Sequence, residues 1–185
     1  MNSSIFQSKI FRRAALTSAV ALGAFGASNS SFAAEATTTS SATVIEPIAI
    51  TKSVDLIFGK FAPGAGGTVT VATDGSRTAT GTILSTSGAT PTAAKFDVTG
   101  DNDATYSITW TGDAELVHST DAAQTMVLTR ISDLTAGGAT TGEVNSGTLS
   151  GTGAQSIYLG GELAVGATQV SGTYNGDVIA TVEYN

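Results

Sequence analysis

From Thr43 to Asn185 the chain consists of short runs in which apolar residues alternate with small polar ones, separated by clusters of Gly, Asp, Asn and Pro. A period of two sends successive side chains to opposite faces, so each run predicts a strand with one buried face. Nothing here repeats at the spacing of an amphipathic helix, and the abundance of Thr, Val and Gly is a β composition. Many short strands divided by turn signals predict an all-β sandwich or barrel. No repeat of solenoid length is present.

The runs can be placed one by one. "TVIEPIAI" (43–50) opens the series, and "SVDLIFGKF" follows with Val54, Leu56 and Phe58 on one face. After the turn "FAPGAGG" come Val69 with Val71, then a weaker run "TATGTIL" broken by its glycine. Ala94, Phe96 and Val98 share a face, "GDND" makes a tight connection, and Tyr106, Ile108 and Trp110 align beyond it. Met126 pairs with Leu128, and Ile157 with Leu159; a Gly-Gly break then separates these from Leu163 and Val165. Residues 132–153 are too rich in Gly and Thr to assign. The final run is the clearest: Tyr174, Val178, Ala180, Val182 and Tyr184 share one parity, with Asp177, Thr181, Glu183 and a single apolar exception, Ile179, on the other. It predicts one long strand with a buried face.

The first 33 residues read differently. Lys9, Arg12 and Arg13 precede an apolar stretch, Ala14 to Ala27, too short to span a membrane easily, and Ser31 and Ala33 suit a signal peptidase. This predicts a secretory signal peptide over 1–33, with cleavage after Ala33 preferred and after Ala34 nearly as good. A polar leader follows at 34–42, then a single domain at 43–185, with no transmembrane segment in the mature chain. Cleavage removes 3 of the 8 basic residues and none of the 15 acidic ones, leaving 5 against 15 and a net charge of −10. Nucleic acid is a poor partner for such a surface. With no cysteine, an exported chain has no disulfide, no thiolate chemistry and no cysteine zinc site.

No constellation carries catalysis, so no catalytic residue, cofactor or metal site is assigned. The one histidine, His118, sits in "AELVHSTD" at a loop or strand edge with no nucleophile elbow near any serine. Asp97, Asp101, Asn102 and Asp103 could supply oxygen ligands for calcium, but they lack the glycine and bidentate glutamate of an EF-hand loop and suit a turn better. Gly64 to Gly67 precede a strand rather than a helix, so they do not cradle phosphate. Trp110 alternates with core residues and reads as core.

"GTYNGDVIATVEYN" resembles the C-terminus of subunits assembled by the chaperone–usher pathway, which carry a penultimate tyrosine and a glycine fourteen places from the end; here these are Tyr184 and Gly172. A larger stretch resembles DUF4402, a domain-of-unknown-function family of secreted bacterial proteins, through "PIAITKSVDLIFG", "KFDVTGDNDATYSIT" and "GGELAVGATQVSGTYNGDVIATVEYN". The pilus resemblance implies an immunoglobulin-like (pilin-like) antiparallel β-sandwich lacking one strand, exported through the periplasm to a surface fimbria. A periplasmic chaperone, an outer-membrane usher and further copies of the subunit would be its partners. Its groove and C-terminal strand would then include Gly172, Tyr174, Val178, Ala180, Val182, Tyr184 and Asn185.

Two departures bear on that expectation. The disulfide of many such subunits is missing, and residues 34–42 hold nothing bulky enough to fill a groove. A donor strand would have to be 43–50, where Ile45, Pro47 and Ala49 form one face and Val44, Ile48 and Ile50 the other. The same segment could equally be the first strand of its own domain, leaving a self-complete binding or adhesion module.

Overall fold

A computed structural model describes residues 33–185. The signal peptide expected at 1–33 lies, but for Ala33, outside the described residues. Residues 33–42 are exposed and form no strand. The unit Thr43–Asn185 is entirely β, with no helix among the described residues.

In chain order its strands are β1 (Ala49–Val54), β2 (Phe61–Ala62), β3 (Gly67–Val71), β4 (Arg77–Thr80), β5 (Ile83–Leu84), β6 (Ala94–Thr99) and β7 (Thr105–Gly112). There follow β8 (Glu115–His118), β9 (Asp121–Asp133), β10 (Ser146–Thr148), β11 (Ala154–Val165), β12 (Tyr174–Asn175) and β13 (Val178–Tyr184). The larger sheet runs β1-β6-β11-β9-β8-β12, and β3, itself paired with β4, joins β11 beyond the end of β6. A smaller sheet runs β10-β7-β13, and β2 pairs with β5 alone. Every strand-to-strand ladder is antiparallel.

The alternation becomes burial. Phe96, Val98, Ile157 and Leu159 from the larger sheet share one cluster with Tyr106, Ile108 and Val182 from the smaller, and with Leu149. A second cluster, under the far half of β11, holds Phe58, Val69, Val71, Met126, Leu128, Leu163 and Val165. Trp110 borders the first cluster as expected of a core residue: its ring meets Phe96 edge-on at 5.9 Å and its indole N–H donates to the Val144 carbonyl at 2.9 Å.

Four sequence expectations change. The run Ser53–Phe61 is not one strand: its first two residues end β1, its last begins β2, and Val54 is exposed rather than facing the core with Phe58. The Gly-Gly pair does not break β11. A side chain at Gly160 would overlap the Val71 carbonyl, and one at Gly161 would lie 2.8 Å from Leu128 Cδ1, so the glycines let neighbours close on an unbroken strand. The first strand begins at Ala49 rather than Thr43, since Pro47 has no N–H to offer a ladder. The terminal run is two strands: β12 pairs with β8 in the larger sheet and β13 with β7 in the smaller. Between them Asp113 and Asp177 make the joint, each backbone N–H bonded to the other residue, Asp113 N to Asp177 O at 2.7 Å and Asp177 N to Asp113 Oδ2 at 2.9 Å.

Candidate docking edge at the C-terminal strand

Seven residues of β13 pair with β7, from Val178 opposite Gly112 to Tyr184 opposite Tyr106. Among the described residues no strand pairs with the other edge of β13, and β1 likewise ends its own sheet. Unpaired N–H and C=O groups along such an edge are a template for a further strand. Val182 is buried in the shared core, Val178, Ala180 and Tyr184 are half-buried, and Ile179 on the outer parity is 53% exposed.

Tyr184 is fastened within the domain. Its hydroxyl accepts from the Asp101 N–H at 2.7 Å and donates to the Glu46 carbonyl at 2.7 Å, so one phenol ties β13 to the β6–β7 turn and to the chain entering β1. In that turn Asp103 has φ +58, a conformation Asp tolerates through its short polar side chain. Asp97 instead lies on β6, where hydrogen bonds from Lys95 and then Ser156 hold its carboxyl below the ordinary range. The four Asp and Asn residues therefore do not converge as ligands, and no cluster of three or more acidic or histidine side chains among the described residues is suited to a metal.

Gly172 lies outside the terminal strand, in the loop before β12. A Cβ there would fall on the His118 ring, and its φ of +157 disfavours a side chain. His118 Nε2 is 3.2 Å from the Ser171 carbonyl, and Tyr174 meets the imidazole edge-on at 5.0 Å, so the lone histidine is a latch for this loop at a strand end. The Tyr174 hydroxyl donates to Val170 O and accepts from Gln169, which places it away from Tyr184's surroundings. Of the residues expected to line one groove, Val178, Ala180, Val182 and Tyr184 come together on β13, with Asn185 just beyond donating to Thr105 O at 3.2 Å; Gly172 and Tyr174 serve the other sheet.

The candidate donor segment is also divided. Ile48 and Ile50 pack on the domain's own first cluster, and Ile50 stands opposite Val98 on β6. Pro47 is exposed, Val44 is 95% exposed and Ile45 50% exposed, and residues 43–48 belong to no strand.

The residues alone did not single out a shallow cleft of about 650 Å³ on the outer face of β6 and β11. Asp97, Ser156 and Tyr158 line it beneath the Leu134–Ala136 loop. Its one sequence signal was the outward parity of Tyr158 between buried Ile157 and Leu159.

Residues 48–184 match the family described as Domain of unknown function (DUF4402), a span reaching from the residue before β1 to the last residue of β13. No curated protein matches the chain. The chain belongs to the DUF4402 family.

Proposed function

We propose that this protein is an exported, non-catalytic subunit of a surface fimbria, an immunoglobulin-like β-sandwich that polymerises by strand donation between copies. The observation behind this reading is a donor and an acceptor on one chain. β13 offers an unpaired edge with half-covered apolar side chains, while Val44 and Ile45 are exposed on a segment that belongs to no strand. Laying residues 43–45 of one copy along β13 of the next, with Glu46 still held by Tyr184 of its own chain, would pair part of the open backbone and cover exposed apolar groups. In this reading a periplasmic chaperone guards the edge until an usher exchanges it for the next subunit.

A second reading has its own support. Because β1 pairs with β6 in the same chain and carries Ile48 and Ile50 onto its own core, the domain could be complete, acting as a monomeric surface binding module with the cleft at Tyr158.

The cysteine-free chain allows a direct test. Chains carrying Ile45→Cys are co-produced with chains carrying Ile179→Cys, and the mixture is run without reductant. Strand donation predicts a cross-linked pair containing one of each variant; absence of that mixed pair, with soluble monomers throughout, sinks the fimbrial reading.

A further inference from the structure

β12 ends on Asn175, and Gly176 follows it. An Asn-Gly step is chemically exposed, because glycine puts no side chain beside the nitrogen that can close on the asparagine carboxamide. Whether the reaction happens depends on where the fold sends that nitrogen.

The ladder between β8 and β12 answers this. Ser119 N–H donates to Thr173 O at 2.8 Å, Tyr174 stands opposite His118, and Asn175 opposite Val117. Hydrogen-bonded and non-bonded pairs alternate in an antiparallel ladder, so Ser119–Thr173 and Val117–Asn175 are bonded pairs. Gly176, next in the alternation, turns its N–H away from β8. β12 is the last strand on that side of the sheet, and both Asn175 and Gly176 are exposed to water. Packing also holds the glycine in place: a Cβ at 176 would lie 2.8 Å from Leu116 Cδ2 and 2.9 Å from the Glu115 carbonyl.

We infer that Asn175–Gly176 is a site of spontaneous backbone modification through a succinimide. The Gly176 nitrogen attacks Asn175 Cγ, a C–N bond forms, the carboxamide C–N bond breaks, and ammonia leaves with the proton that Gly176 gives up. Water then opens the ring. Attack at the side-chain carbonyl yields aspartate; attack at the main-chain carbonyl yields isoaspartate, with one more carbon in the backbone. No oxidant or other reactant is needed.

The site straddles the end of β12 and the two-residue joint, Gly176–Asp177, where the chain passes from one sheet to the other. Either product places a carboxylate on a joint already holding Asp113 and Asp177, with Glu115 on the adjoining strand. Isoaspartate also lengthens the joint, so β12 loses its register on β8 while the seven-residue pairing of β13 with β7 remains.

The test incubates the full folded chain at mildly alkaline pH and maps asparagine conversion by proteolysis and mass spectrometry. Exposed Asn102, before Asp103, and Asn145, before Ser146, are internal references. Asn175 should convert at least several-fold faster than either, giving two products with isoaspartate the larger, and Asn175→Ser should abolish both. Conversion of Asn175 no faster than the references, or conversion only after the chain is denatured, overturns the inference.

Discussion

β11 and β13 are both amphipathic strands, yet they do opposite work. β11 is paired on both edges, to β6 and β3 on one side and β9 on the other, and its inward residues Ile157, Leu159 and Leu163 are at most 1% exposed. β13 is paired on one edge only, and Val182 alone of its residues is buried. The strand with the cleaner alternation is thus the peripheral one. Alternation reports that one face meets a core; it carries no record of how many neighbours the backbone has. Edge position had to come from the pairing.

The largest test of this contrast is Ile157→Ala against Ile179→Ala. Removing a buried branched side chain from β11 should cost about 3 kcal/mol of unfolding free energy, whereas the exposed Ile179 change on β13 should stay within about 0.5 kcal/mol. Denaturant melts of both variants measure it, and equal losses would erase the distinction between the strands. Gly160→Ala comes next. If the glycine is there to let Val71 close on β11, the substitution should cost about 2 kcal/mol by overpacking, and a midpoint unchanged from the parent would restore the Gly-Gly pair as a mere turn signal.

Two facing tyrosines sharpen the comparison at the third level. Tyr184→Phe removes the hydroxyl that serves both Asp101 and Glu46, with an expected loss of about 1 kcal/mol. Tyr106 stands opposite it on β7 with its hydroxyl buried and unpartnered, and burial pushes its pKa up. Tyr106→Phe should therefore be neutral or stabilising, by up to about 1 kcal/mol. Thermal melts in which Tyr184→Phe costs no more than Tyr106→Phe would show that the penultimate tyrosine acts by ring packing alone.

The smallest effect concerns Lys95 and Asp97, 2.8 Å apart on β6. Their hydrogen bond lowers the Asp97 pKa and raises that of Lys95. The pair's contribution is whole between the ordinary values of 3.8 and 10.5. It fades as pH falls through the lowered folded value of Asp97 or rises through the raised one of Lys95. Both groups are partly exposed, so solvent screens the pair and its contribution is small. Asp97→Asn should narrow the stability gap between neutral and strongly acidic pH; a gap of unchanged size would mean that the ion pair contributes nothing.

Legibility in the sequence followed the range of the interaction. Val69 with Val71, Phe96 with Val98, Tyr106 with Ile108 and Leu128 with Met126 are all buried as their parity predicts, because facing is set by neighbouring backbone dihedrals. The candidate edge was only half legible. Val178 to Tyr184 read correctly as one strand, but Gly172 and Tyr174 share its parity and belong elsewhere, since the chain changes sheets at Gly176 and Asp177. Residues 132–153 gave no pattern because β10 is only three residues long and the positions that face the interior, Ser132, Leu134, Val144, Gly147 and Leu149, follow no single period.

What the sequence determined by itself was local: strands rather than helices, the inward face of most of them, and the tight connection at Gly100 to Asp103. Which strand lies beside which was decided by tertiary structure alone. Pairing joins segments as distant as Ile108 and Val182, and the preference of any run for an edge or a centre depends on what else is present to cover it. Tyr184 shows both halves of this. Its inward parity is written in the last seven residues, while its partners, the Asp101 amide and the Glu46 carbonyl, are backbone groups that no side-chain pattern could have named.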